Sequence, residues 1–197
     1  MHRVLLHIVP AAILLLVSAS AARAGELKIG DAAPTFKGLI GTDDKEHALA
    51  DYKAAKLVVL VFTCNHCPVA QAFQQRLVDL QKDYQKKSVQ VVAVNVNNLD
   101  ADKLDKMKEV AKEKKFNFPY LYDASQKIGK DYGAKVTPHV FVLDKDRKLA
   151  YVGAIDDNMD ESKVKKHLLR DALDALLAGK EPAEKVTKQF GCNIKYD

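Results

Sequence analysis

The chain has 197 residues, is 48% hydrophobic and 29% charged, and carries a formal net charge of +5 with only three cysteines. This composition lies near that of ordinary globular proteins, which excludes a collagen-like, low-complexity or bulk-disordered chain. Three cysteines in this length also exclude a small disulfide scaffold, because a domain of this size buries enough apolar surface to hold itself together. The cysteines are therefore free for chemistry.

The basic excess does not mark a nucleic-acid surface. Two of the cations, Arg3 and Arg23, fall in a segment expected to be removed, and the remaining lysines are interleaved with acids, as in Asp100 to Lys106 and Lys112 to Lys115. Such mixing reads as solvated helix faces rather than a clustered basic stripe. No nucleic-acid partner is expected.

Met1-His2-Arg3 gives a short positive start, Val4 to Val17 is nearly all apolar, and Ala22-Arg23-Ala24 offers small residues at a cleavage site. This is the pattern of a signal peptide over residues 1–24, with a mature chain from Gly25. No later stretch is apolar enough to span a bilayer, so the mature form is expected not to cross a membrane. It should be exported, periplasmic or secreted, where paired cysteines can persist as a disulfide.

Gly30 to Phe36 reads as a loop into a strand over 36–40. Gly41 to Asp44 is turn chemistry, and a second short strand follows around His47 to Leu49. Leu57 to Phe62 is a continuous apolar run, the mark of a strand buried on both faces. Val69, Phe73, Leu77, Leu80 and Tyr84 then recur at helical spacing, predicting an amphipathic helix that begins near Cys67 or Pro68.

Val89 to Val96 is a second buried strand. Leu104, Met107 and Ala111 mark a charged helix, Pro119 to Tyr122 a short strand, and Ser125 to Tyr132 a brief helix closed by Gly133. Residues 138–143 and 148–153 form a hairpin, since four residues between them cannot hold a crossover helix. Val164, Leu168, Ala172 and Leu176 give a last helix before Gly179. The order implies an α/β domain over 25–179, a central mixed sheet flanked by helices, with residues 180–197 as a tail lying on it.

Cys64-Asn65-His66-Cys67 sits where a buried strand turns into a helix. The first N–H groups of a helix lack partners and its dipole is positive there, so a thiolate should be stabilised and its pKa lowered. Two intervening residues let the second sulfur approach the first. The expected reading is a redox pair, with Cys64 as attacking thiolate and Cys67 as resolving thiol. His66 should tune the pair towards its reduced form. Half a zinc site is the other reading of such a motif, but Cys192 is the only further cysteine, so four-cysteine ligation is impossible. His47, His139 and His167 are expected to be surface or packing residues. Val136-Thr137-Pro138 opens a predicted strand, where Pro138 could lie opposite the pair. A cis bond is not expected from sequence alone, since only about 5–6% of such bonds adopt it.

Taken together, Gly30 to Phe36, Phe62 to Pro68, Val91 to Val96, Tyr132-Gly133, Val136 to Pro138, Leu143 to Asp146 and Gly153 to Asp157 resemble the thioredoxin-fold redoxins. The similarity is to the exported branch around the TlpA and ResA thiol-disulfide oxidoreductases and the AhpC/TSA peroxiredoxins. It implies a thioredoxin fold with an N-terminal β-hairpin extension and a cis Thr137–Pro138 bond facing Cys64 and Cys67. Thr137 would contribute backbone contacts to substrate thiols, and the partners would be protein thiols and disulfides. The ending Phe190-Gly191-Cys192-Asn193-Ile194-Lys195 also resembles a subgroup bearing the same Cys-Asn-His-Cys site.

The chain departs from the pattern in three places. Val58 stands where thioredoxins keep a buried acid, Thr63 replaces the usual tryptophan, and the Pro-x-x-x-Thr-x-x-Cys peroxidase motif is missing. Cys192 is read either as a lone tail thiol or as a third thiol or metal ligand returned to Cys64 or Cys67. No organic cofactor or metal is expected for an oxidoreductase of this kind. The alternatives are a thiol peroxidase and a thiolate copper module using Cys64, Cys67 and His66 or Cys192.

Overall fold

The computed structural model describes residues 27–197; the expected signal peptide lies outside the described residues. Leu57 to Phe62 (β3) is buried at every position and forms the sheet's axis, as a valine-rich run with no polar face must. Its neighbours are Val89–Asn95 (β4), in parallel register Leu57 to Val89, and His139–Leu143 (β7), antiparallel with Phe62 opposite His139. Tyr120–Tyr122 (β5) continues the parallel side, and Leu149–Gly153 (β8) closes the other as the expected hairpin.

Leu39–Gly41 (β1) and Glu46–His47 (β2) form the N-terminal hairpin and add antiparallel to β5. The seven strands run β2-β1-β5-β4-β3-β7-β8. The first strand begins three residues later than the sequence suggests. The second ends at His47, because Leu49 turns inward on a 3-10 turn over Leu49–Tyr52.

Alternation along β3 divides the core. Val59 and Val61 face Pro68–Tyr84 (α1), Leu104–Glu113 (α2) and Leu168–Leu177 (α4), meeting Phe73, Leu77, Met107 and Leu173. Val58, Leu60 and Phe62 face the other way, towards Phe36 and Lys127–Tyr132 (α3), where Ile128 and Tyr132 are buried. The final helix starts at Leu168 rather than Val164, after a 3-10 turn over Glu161–Lys163.

The tail crosses the domain. Val186 bridges Val152 of β8, and Val136–Thr137 (β6) pairs antiparallel with Cys192–Asn193 (β9). Where the tail meets β8, Gly153 is needed: at φ +149°, an added Cβ would fall 2.0 Å from Thr187 Oγ1 and 2.6 Å from its carbonyl oxygen. Gly153→Ala is expected to cost about 2–3 kcal/mol, read as a lower urea midpoint at unchanged slope.

Candidate active site

The register of β7 on β3 decides what meets what. With Phe62 opposite His139, the residues just beyond β3 come to lie beside those just before β7. Cys64 and Thr137 are thereby brought together, and Cys64 Sγ lies 3.2 Å from Thr137 Oγ1. The Thr137–Pro138 bond is cis. Cys67 is the N-cap of α1, in extended conformation, and its sulfur accepts the Ala70 N–H at 3.4 Å. Pro68 follows in the first turn, where its missing N–H costs nothing. Cys67 Sγ is also 3.2 Å from the Thr137 carbonyl oxygen.

The disulfide joins Cys67 to Cys192, with a Cα separation of 5.9 Å, and not to Cys64, which is free. The expected Cys64–Cys67 bond is not the one in this structure: β9 sets Cys192 opposite Thr137, whose carbonyl oxygen lies 3.2 Å from Cys67 Sγ. Neither is Cys192 a lone tail thiol. Cys64, Cys67 and Ala70 pack as one small cluster, with Cys192 against it.

A second correction concerns reactivity. Cys64, expected as the attacking thiolate, is only 1% exposed. Burial pushes its thiol above the ordinary value, and the Asp102 charge adds to this. The Thr137 hydroxyl and the N–H groups of Cys67 and His66 pull the other way without prevailing. The helix terminus is present, but desolvation of a thiolate outweighs it.

Asp102 is the residue that sequence reasoning missed. It lies among alternating charges that read as a solvated face, yet it is wholly buried. Its Oδ1 accepts the N–H of Asn65 at 2.7 Å and of His66 at 3.3 Å, and its Oδ2 bonds His66 Nδ1. Asn95 Nδ2 donates to the Asp102 carbonyl oxygen at 2.9 Å, which fixes the acid from behind.

The motif's other middle residue is held as firmly. Tyr120 donates its hydroxyl to Asn65 Oδ1 at 2.9 Å, and Asn65 Nδ2 donates to the Ala101 carbonyl oxygen at 2.8 Å. Gln71 Nε2 donates to the Asn65 carbonyl oxygen at 2.6 Å. Burial raises the Tyr120 hydroxyl well above its ordinary value, so it stays a donor. His66, with a side chain 34% exposed, leans outward from this frame.

The other histidines among the described residues have structural contacts: His47 bonds Asp43 and Tyr52, His167 bonds Asp156, and buried His139 packs on Phe141 with the rings tilted 50° to each other. Ligand atoms of Cys64, His66 and Asp102 lie within 4.8 Å of one another, a set able to approach a metal. The copper set named as an alternative is not assembled while Cys67 and Cys192 are bonded. A cavity of about 910 Å³ beside Phe36, Leu49 and Ile128 includes none of the cysteines.

Residues 28–168 match the redoxin family. The chain is 30% identical over 140 residues to a thiol-disulfide oxidoreductase ResA of Geobacillus thermodenitrificans, covering 71% of this chain and 76% of that protein. An uncharacterised conserved protein of Geobacillus kaustophilus is 38% identical with a TM-score of 0.81, covering 87% of this chain and 93% of its own. A putative thiol:disulfide interchange protein DsbE of Chlorobium tepidum is 30% identical with a TM-score of 0.56, covering 64% and 85%. The chain belongs to the redoxin family and is a thioredoxin-fold oxidoreductase.

Proposed function

We propose that the protein is an exported thiol-disulfide oxidoreductase that exchanges electrons with the thiols and disulfides of partner proteins through Cys64 and Cys67. The observation that carries this reading is the meeting of both motif cysteines on Thr137, at the head of α1, with Cys67 already in a disulfide. The similarity to ResA and DsbE proteins supports the same chemistry.

In the exchange, one thiolate attacks a disulfide sulfur and forms a mixed disulfide; the displaced sulfur leaves as thiolate, and a neighbouring thiol of the same chain resolves the intermediate. Thr137 and the cis Pro138 supply the backbone edge beside the sulfurs, and His66 lies at the exposed rim. The segments are a signal peptide over residues 1–24, a thioredoxin-like domain over 25–179 and a tail over 180–197. Support for export comes from the N-terminal charge, apolar run and Ala22-Arg23-Ala24. Among the described residues no helix is long and apolar enough to cross a membrane.

With insulin as substrate and dithiothreitol as reductant, wild-type protein should accelerate disulfide reduction. Cys64→Ser and Cys67→Ser should each fall to the uncatalysed rate. Because burial and the Asp102 charge both raise the Cys64 thiol, its iodoacetamide alkylation in oxidised protein should rise at a pH above that of a free thiol, about 8.5. Asp102→Asn removes one of those two causes, so the rise should move to lower pH. Intact mass of protein recovered from an exporting bacterial host should correspond to a chain beginning at Gly25.

A further inference from the structure

Three sulfurs meet at the head of α1, and Thr137 touches the residues that carry them all. Its hydroxyl lies 3.2 Å from Cys64 Sγ, its carbonyl oxygen 3.2 Å from Cys67 Sγ, and its backbone pairs with Cys192. Cys64 and Cys67 are buried, whereas Cys192 is half-buried on the tail side.

The tail is held there by contacts that involve no sulfur. Before Cys192, Phe190 packs on Phe73 at a ring separation of 6.0 Å. After it, the Ile194 N–H donates to the Lys135 carbonyl oxygen at 2.9 Å, and the Tyr196 hydroxyl to the Ala134 carbonyl oxygen at 2.8 Å. Gly191 passes so close that an added Cβ would lie 2.1 Å from the Thr137 carbonyl oxygen. Opening the Cys67–Cys192 bond would therefore leave Cys192 beside its partner, at the high effective concentration of a tethered group.

We propose that Cys192 is a third redox residue and that the oxidised centre holds its one disulfide in two places, Cys67–Cys192 and Cys64–Cys67, with Cys67 as the shared sulfur. The inference rests on the thiol-disulfide reading above and adds the route by which the bond moves. Cys64 loses its proton and attacks Cys67 Sγ. The Cys64–Cys67 bond forms, the Cys67–Cys192 bond breaks, and the electron pair leaves on Cys192, which takes up a proton. The step is redox-neutral and needs no outside oxidant. It carries the disulfide between the buried end of the centre and the half-exposed tail, so a partner thiol can meet it at Cys192.

The test maps disulfides in oxidised full-length chain equilibrated in glutathione buffers, acid-quenched, alkylated and digested for mass spectrometry. Wild-type protein should yield both Cys67–Cys192 and Cys64–Cys67 peptides. Cys64→Ser should yield only the first, and Cys192→Ser only the second. Cys192→Ser, with unchanged circular dichroism, should turn over insulin about tenfold or more slowly. Gly191→Ala keeps all three sulfurs while unseating the tail, and should shift the population towards Cys64–Cys67. A wild-type protein that yields Cys67–Cys192 alone at every glutathione ratio, with Cys192→Ser as active as wild type, would reduce that bond to a structural staple and overturn the relay. Absence of insulin reduction by wild type would instead remove the oxidoreductase reading, whatever the peptide map shows.

Discussion

The antiparallel register of β7 against β3 is the constraint on which the site depends. A strand slipped by one residue turns every side chain to the opposite face, so a pairing between two fully buried strands leaves little freedom. Phe62 opposite His139 commits Thr137 to the neighbourhood of Cys64, and Thr137 in turn offers its backbone to Cys192. The chemistry is thus positioned from the core outward. Apolar burial in the two strands fixes a threonine, and the threonine gathers the sulfurs.

A buried acid then determines how the motif turn is held. Asp102 receives two backbone N–H groups from the turn and the ring of His66, while Asn95 secures it from the sheet side. Burying a carboxylate is costly unless its oxygens are well satisfied, and here hydrogen-bond donors converge on them. The same charge sits close enough to Cys64 to oppose its ionisation. One residue therefore orders the loop and restrains its thiol, which links the rigidity of the site to its reactivity.

Much of this was legible from one-dimensional pattern. The valine runs announced β3 and β4, the three-and-four spacing of Phe73, Leu77 and Leu80 announced α1, and four residues between two apolar runs announced the β7–β8 hairpin. These signals are local, and local periodicity survives without knowledge of the fold. Asp102 was not legible, because its neighbours Asp100 and Lys103 are exposed and nothing in their spacing separates it from them. The sequence leaves the partner of Cys67 open, with Cys192 read either as a lone tail thiol or as one returned to Cys64 or Cys67. Cys192 lies 125 residues away in a segment without period, and only the fold returns it to the sheet. The reversed shift of the Cys64 thiol has the same origin, since the helix terminus is written in sequence and burial is not.

The first half of the tail has a consequence apart from redox chemistry. β8 is the outermost strand on its side, and an uncovered outer strand is a template on which a second molecule can add a strand and begin to aggregate. Here the Val152 N–H donates to the Lys185 carbonyl oxygen at 2.9 Å and the Val152 carbonyl oxygen accepts from the Thr187 N–H at 3.0 Å. Those groups are already spoken for. The segment that delivers Cys192 also insulates the rim of the sheet, so colloidal behaviour and the disulfide at Cys67 are tied to the same eighteen-residue stretch.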